Sequence, residues 1–126
     1  MGVQTWEVDG AVRRKAFANG PVARVVVGAE AGLRSGLVEV VIPAGAAMPE
    51  HDHGSSEVML VVLGGEARLT TVATGVVTKL ASGSVVAIPI GERVAVENRG
   101  DEDLRMLVSV TPPSFAEVLA GWPEAD

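Results

Sequence analysis

The chain has no cysteine and no tyrosine, and it has only two histidines. Without cysteine there is no disulfide, no thiolate metal site and no thiol nucleophile. Without tyrosine, phenolic acid–base catalysis is missing too. Basic residues are few: 10 Lys and Arg stand against 16 Asp and Glu, for a formal net charge of −6. That balance argues against nucleic acid or an anionic membrane as the main partner. Arg13, Arg14 and Lys15 form the one basic cluster, which reads as a solvated turn. No stretch approaches the roughly eighteen consecutive apolar residues that a membrane-spanning helix needs. The opening MGVQTWEVDG has no basic start followed by an apolar run, so it does not read as a secretory signal. Trp6 occupies the position where a myristoylation signal carries Ser or Thr. The expectation is a cytoplasmic protein. A glycine-rich phosphate loop before a helix and a nucleophile elbow are likewise missing.

What is present is a 126-residue chain, 48% hydrophobic and rich in Val, Ala and Gly. The length matches one domain, residues 1–126, able to bury a single core. Short valine-rich stretches end at Gly, Pro or acidic residues, the pattern of an all-β fold. Strands are expected over 22–27, 36–42, 57–63, 67–72, 76–80, 84–89, 93–98 and 104–110. Gly64-Gly65, Thr74-Gly75 and Ser82-Gly83 carry turn chemistry between them. Eight short strands with tight links predict a sandwich or a jelly-roll barrel. The uneven N-terminal arm, 1–20, is left as an edge strand or a segment exchanged with a neighbour. One short C-terminal helix is expected over 114–121. Ser114 and Glu117 have capping-box spacing, and Gly121 is the stop signal. Phe115, Val118, Leu119 and Trp122 share a face expected to pack on the barrel exterior.

The informative stretch is Gly45-x5-His51-x-His53-x3-Glu57-x6-Gly64. On an extended chain His51 and His53 project to one side, roughly 6.6 Å apart along the strand. Their imidazoles can therefore meet at one ion, whose bonds to nitrogen are about 2.0–2.1 Å long. Glu57 shares their parity if the chain stays extended, and a hairpin at Gly54-Ser55-Ser56 also returns it over the pair. Imidazole suits Fe, Mn, Ni, Cu or Zn. A second block follows, Gly83-x5-Pro89-x-Gly91-x2-Val94-x3-Asn98.

Together the two blocks resemble the paired motifs of the cupin superfamily, small jelly-roll β-barrels, over a motif core of 45–98. Gly45, His51, His53, Glu57 and Gly64 match the first motif throughout. Gly83, Pro89, Gly91 and Asn98 match the second, but Val94 stands where it carries a histidine. The resemblance implies a metal held by three histidines and one glutamate. In this chain it leaves His51, His53 and Glu57 as candidate ligands for a divalent metal ion. Met59, sharing parity with Glu57, is a candidate for the pocket wall, as are Val94 and Val96. Asn98 reads as a turn tie rather than a catalytic group. Glu39 and Arg24 interrupt apolar strands, and solvent exposure is the expectation for both.

Three functions follow. One is a metal-dependent enzyme acting on a small organic molecule; by resemblance the reaction is a dioxygenation, lyase, isomerisation or cyclisation step, which the fold does not choose. A second is a non-catalytic binding or sensor module with a degenerate or empty metal site. A third is a structural remnant whose site has decayed. Exposed sheet edges make a homodimer the expected assembly.

Overall fold

Ten β-strands form where valine-rich segments alternate with turn residues, as a computed structural model describing residues 2–126 shows. In chain order they are β1 (Arg14–Lys15), β2 (Val22–Val27), β3 (Gly36–Ile42), β4 (Ala47–His51) and β5 (Glu57–Gly64). The series continues with β6 (Ala67–Thr71), β7 (Val76–Leu80), β8 (Val85–Ile88), β9 (Val94–Glu97) and β10 (Leu104–Thr111). A helix, α1 (Ser114–Ala120), closes the chain. Six strands make one sheet in the order β1-β2-β3-β10-β5-β8, and four make the other, β4-β9-β6-β7. All pairings are antiparallel. This is the all-β jelly roll with a short C-terminal helix that the sequence predicts. Among the described residues no helix is long and apolar enough to cross a membrane.

The eight expected strands all form. Two more, β1 and β4, are additions. β1 pairs with β2, so part of the N-terminal arm does become an edge strand. β4 is hard to read because Ala47-Met48-Pro49-Glu50-His51 holds no β-branched residue and contains a proline. It sits at the edge of its sheet and pairs only with β9, with a register shift between Met48 and His51. An edge and a bulge are where a strand tolerates a proline.

The core follows strict alternation. Val38, Val40 and Ile42 of β3 and Val58, Leu60 and Val62 of β5 face inward. β10 adds Leu104, Met106, Val108 and Val110, and the facing sheet adds Ala67, Leu69, Val94 and Val96. Each such Val, Leu, Ile or Met side chain, taken from water, contributes about 1.5–3 kcal/mol before entropy is counted.

Glu39 points to the outer face but is only 4% exposed. Arg24 Nη1 approaches its Oε1 at 3.3 Å, and Arg105 Nε donates to its Oε2 at 2.6 Å. The expected exposed acid is therefore a carboxylate clasped by two guanidinium groups. Asn98 is the turn tie expected of it: its Nδ2 donates to the carbonyls of Ile42 and Glu102, both at 2.8 Å, and its Oδ1 accepts from Gly100 N–H. Gly65 has φ +79°, and a Cβ there would lie 2.6 Å from the Asp103 carbonyl oxygen.

The helix departs from expectation in its placement. Ser114 makes no capping bond, and Pro113 is the cap residue. Val118 is 58% exposed, whereas Ala116 and Leu119 are buried. α1 packs against β2, β3 and β10 and sends Phe115 and Leu119 into the barrel's end, not onto its outside.

Candidate functional site

Alternation along β4 and the residues after it decides which side chains enter the barrel. Glu50 and Asp52 turn outward to Arg93, whose Nε donates to Glu50 at 2.9 Å and whose Nη1 lies 3.4 Å from Asp52. His51 and His53, between and beyond them, turn inward. Their ring centroids are 4.8 Å apart with planes at 80°. Both line an internal cavity of about 40 Å³. Val94 and Val96 supply its wall from β9, and Val94 is directly paired with His51.

The other two candidates lie elsewhere. Glu57 is exposed, and Met59 is 55% exposed. Both border a groove on the outer face of the six-stranded sheet, beside Ser109 and Thr111. The cause is local. The chain does not stay extended between His53 and Glu57: Gly54 takes φ +60° in a turn that also includes Ser55. Extended structure resumes with Ser56 fully buried, so even-numbered residues face the core through β5. The turn shifts the parity by one, and every odd position of β5 goes outside. Glu57 as a ligand and Met59 as a pocket wall are therefore corrected.

Phe115, not anticipated as a site residue, completes the site. Its ring centroid is 4.8 Å from that of His53, edge to face, and 6.5 Å from that of His51 at 20°. Serines hold it there. Ser56 Oγ donates to the Pro112 carbonyl at 2.6 Å and accepts from Phe115 N–H at 3.3 Å, while Ser55 and Ser114 hydroxyls meet at 3.0 Å. His53 and Phe115 thus stand between the inner cavity and an outer cleft of about 340 Å³ bordered by Asp52, Ser55 and Val118. The only advance signal was an aromatic at the start of an amphipathic helix.

The electrostatics of the pair follow from burial. His51 Nδ1 lies 2.7 Å from the Pro49 carbonyl oxygen. A carbonyl only accepts, so Nδ1 carries the proton and Nε2 keeps its lone pair. Burial lowers the His51 pKa below 6.5, against the Pro49 bond and Asp52, which raise it; Arg93 lowers it further. His53 is 6% exposed, and its buried Nδ1 has no hydrogen-bond partner. Its pKa is pushed down to about 4, by burial first and then by His51, with Asp52 opposing. Both rings are neutral at pH 7.

A cupin-domain family model matches residues 38–110, more than half of the chain, and takes in both motif blocks. The chain belongs to the cupin family. Among curated proteins none matches it. Solved structures share its fold at low identity. A predicted oxalate decarboxylase from Thermotoga maritima has a TM-score of 0.74 at 18% identity, covering 86% of this chain and 99% of that one. The polyketide cyclase RemF from Streptomyces resistomycificus gives 0.73 at 19%, covering 87% and 80%. A cupin 2 conserved barrel domain protein from Salinispora arenicola gives 0.69 at 20%, covering 95% and 96%.

This cupin's residues do not fit the three-histidine, one-glutamate metal set that the resemblance implies. Val94 is an apolar wall residue, and Glu57 lies on the other side of the sheet. Among the described residues no three His, Cys, Asp or Glu side chains are grouped to hold an ion.

Proposed function

We propose that this cupin is a binding module that holds a small organic molecule in its barrel, with His51 and His53 as the polar contacts. The observation that carries this reading is the convergence of both neutral imidazoles on one otherwise apolar cavity that no carboxylate lines. Ligand sites are typically apolar with a few placed polar groups, but they are usually some 300–1,000 Å³. A cavity of about 40 Å³ holds only a few atoms, so an organic ligand enters as Phe115 swings aside and joins that space to the outer cleft.

The test is a panel of small carboxylates, enols and phenols, read through the imidazole ¹⁵N shifts of the two histidines. A binder should move both resonances, lose affinity in His53→Ala, and associate faster in Phe115→Ala. Binding that ignores both His51→Ala and His53→Ala would refute the reading. Turnover is the second reading, favoured by His51, whose Nδ1–H on the Pro49 carbonyl leaves the Nε2 lone pair free to accept a proton. It is checked by following the same panel for product. The homodimer remains a proposal, supported by edge strands β7 and β8, whose Val76, Val77 and Val85 are 56%, 52% and 58% exposed. Sedimentation velocity decides it.

A further inference from the structure

In β5 the run Val58-Met59-Leu60-Val61-Val62-Leu63 is unbroken. A strand with one solvated face alternates apolar with polar residues, so this one reads as covered on both faces. Its odd positions turn outward, and Met59 and Leu63 are 55% and 40% exposed. Cross-strand neighbours widen the patch: Val61 pairs with Val85 of β8, itself 58% exposed, and with the half-buried Leu107 of β10. The other sheet differs. Between its buried Ala67, Leu69 and Val96 it turns Arg68, Thr70 and Glu97 outward, and Arg68 is paired with Glu97. The apolar exterior is therefore particular to one face, and a contiguous patch of that kind marks an interaction site.

We propose that this outer face of β5, β8 and β10 is the contact between two copies of the chain, related by a two-fold axis that runs across the strands. This rests on the homodimer reading and names a face as the contact in place of the edges β7 and β8. Charge selects a second copy as the occupant. Glu57 stands at one end of the patch, opposite Thr111, and Arg105 at the other, opposite Gly64. Glu57 is exposed, and Arg105, though its Nε donates to Glu39, has a side chain 49% exposed. Sheets packed face to face keep their strands aligned within about 30°, so the axis runs along the strands or across them. An axis along the strands sets the Glu57 ends level with each other. An axis across them reverses the ends, so that each Glu57 meets the Arg105 end of the other copy. Shape agrees. The Glu57 end carries a groove of about 250 Å³ between Met59, Pro89 and Thr111, and the reversed copy brings its protruding Leu63 to that groove. Strands β3, β10, β5 and β8, each about seven residues long, make a face of roughly 450 Å² per copy. A standard interface takes about 800 Å² per partner, so the pair expected is a reversible one, at micromolar concentrations.

The experiment is sedimentation velocity of the full chain across the micromolar range. A monomer–dimer equilibrium is expected, weakened by added salt. Met59→Lys and Leu63→Lys, at positions already exposed, should each weaken the dimer at least about tenfold, and so should Glu57→Lys, which sets like charges together. Val77→Lys, on the β7 edge, should leave it unchanged. A second readout needs no loss of association. Because the chain has no cysteine, Met59→Cys supplies a single thiol, and a short bis-maleimide should join two copies through it but not through Val77→Cys. A chain that stays monomeric throughout overturns both this contact and the homodimer reading. A dimer broken by Val77→Lys and indifferent to Met59→Lys and Leu63→Lys overturns the face alone and leaves the homodimer standing. Unchanged association in Glu57→Lys would overturn the two-fold arrangement.

Discussion

Lowering the pH from 7 to 4.5 should destabilise the fold through His53 in particular. Burial holds its pKa near 4 in the folded chain, against 6.5 when exposed. The unfolded chain therefore binds the proton more readily in this window. The stability contributed by the neutral ring is complete above about 6.5 and is lost progressively as pH falls toward 4, below which the loss levels off. Between pH 7 and 4.5 the two titration curves differ by about 2 kcal/mol for this one ring. His51, lowered for the same first reason, adds loss in the same direction. With a urea slope of about 1.5 kcal/mol/M, the His53 share alone moves the midpoint by a little over 1 M. Urea titrations at half-unit pH intervals, followed by the fluorescence of Trp6 and Trp122, read this directly. His53→Leu supplies the comparison, because it removes the titrating group and the partnerless nitrogen while keeping an apolar side chain in an apolar place. Its midpoint should fall by about 1 M less than wild type across the window. Parallel pH profiles for the two proteins would show that His53 is not buried in the neutral form, and the description of the site would fail with it.

Other outcomes follow from single contacts. Glu39→Ala removes the carboxylate that Arg24 Nη1 and Arg105 Nε share and leaves the part-buried Arg24 guanidinium without it, so denaturant titration should show a loss of about 3 kcal/mol. A loss below about 1 kcal/mol would mean that the two guanidinium groups are satisfied by water. Gly65→Ala combines a left-handed backbone with a Cβ 2.6 Å from the Asp103 carbonyl oxygen, and should lower stability by about 2 kcal/mol or more by the same assay. Val94→His sets a third imidazole opposite His51, its strand partner, and should tighten Zn(II) binding at least tenfold by calorimetry. Unchanged affinity would contradict the inward placement of position 94.

Much of the architecture was written in local pattern. Eight strands announced themselves as valine-rich runs between glycines, and Asn98 as a turn tie. β4 stayed hidden because its strand character comes from pairing with β9, not from propensity. The site was legible only to the end of one strand. His51 and His53 are two apart on extended backbone, and period two carried them correctly into the barrel. Glu57 and Met59 lie past Gly54, where a left-handed residue in a turn changes which parity faces inward. No spacing rule survives such a turn, since one residue of slip exchanges inside for outside. Phe115 escaped for a different reason. The apolar periodicity of α1 predicts a buried face but not what that face covers, and the serines at 55, 56 and 114 that set its position are bonded across the fold.

The charge distribution of the finished barrel constrains its chemistry more firmly than the motif does. Among the buried polar groups of the described residues, Glu39 is the only charged one, and it sits on the outer face between arginines. Ser56 and Asn98 spend their hydrogen bonds on backbone. That leaves His51 and His53 as the polar groups open to the cavity, both neutral at pH 7, within walls of Val, Leu, Ile, Met and Phe. A low-dielectric space without counter-charge strongly disfavours multiply charged guests, because nothing inside offsets their lost hydration. A dicarboxylate or a hard divalent ion would enter against that penalty, with Glu57 too far round the sheet to help. Neutral molecules meet no such barrier, and a singly charged guest meets a smaller one.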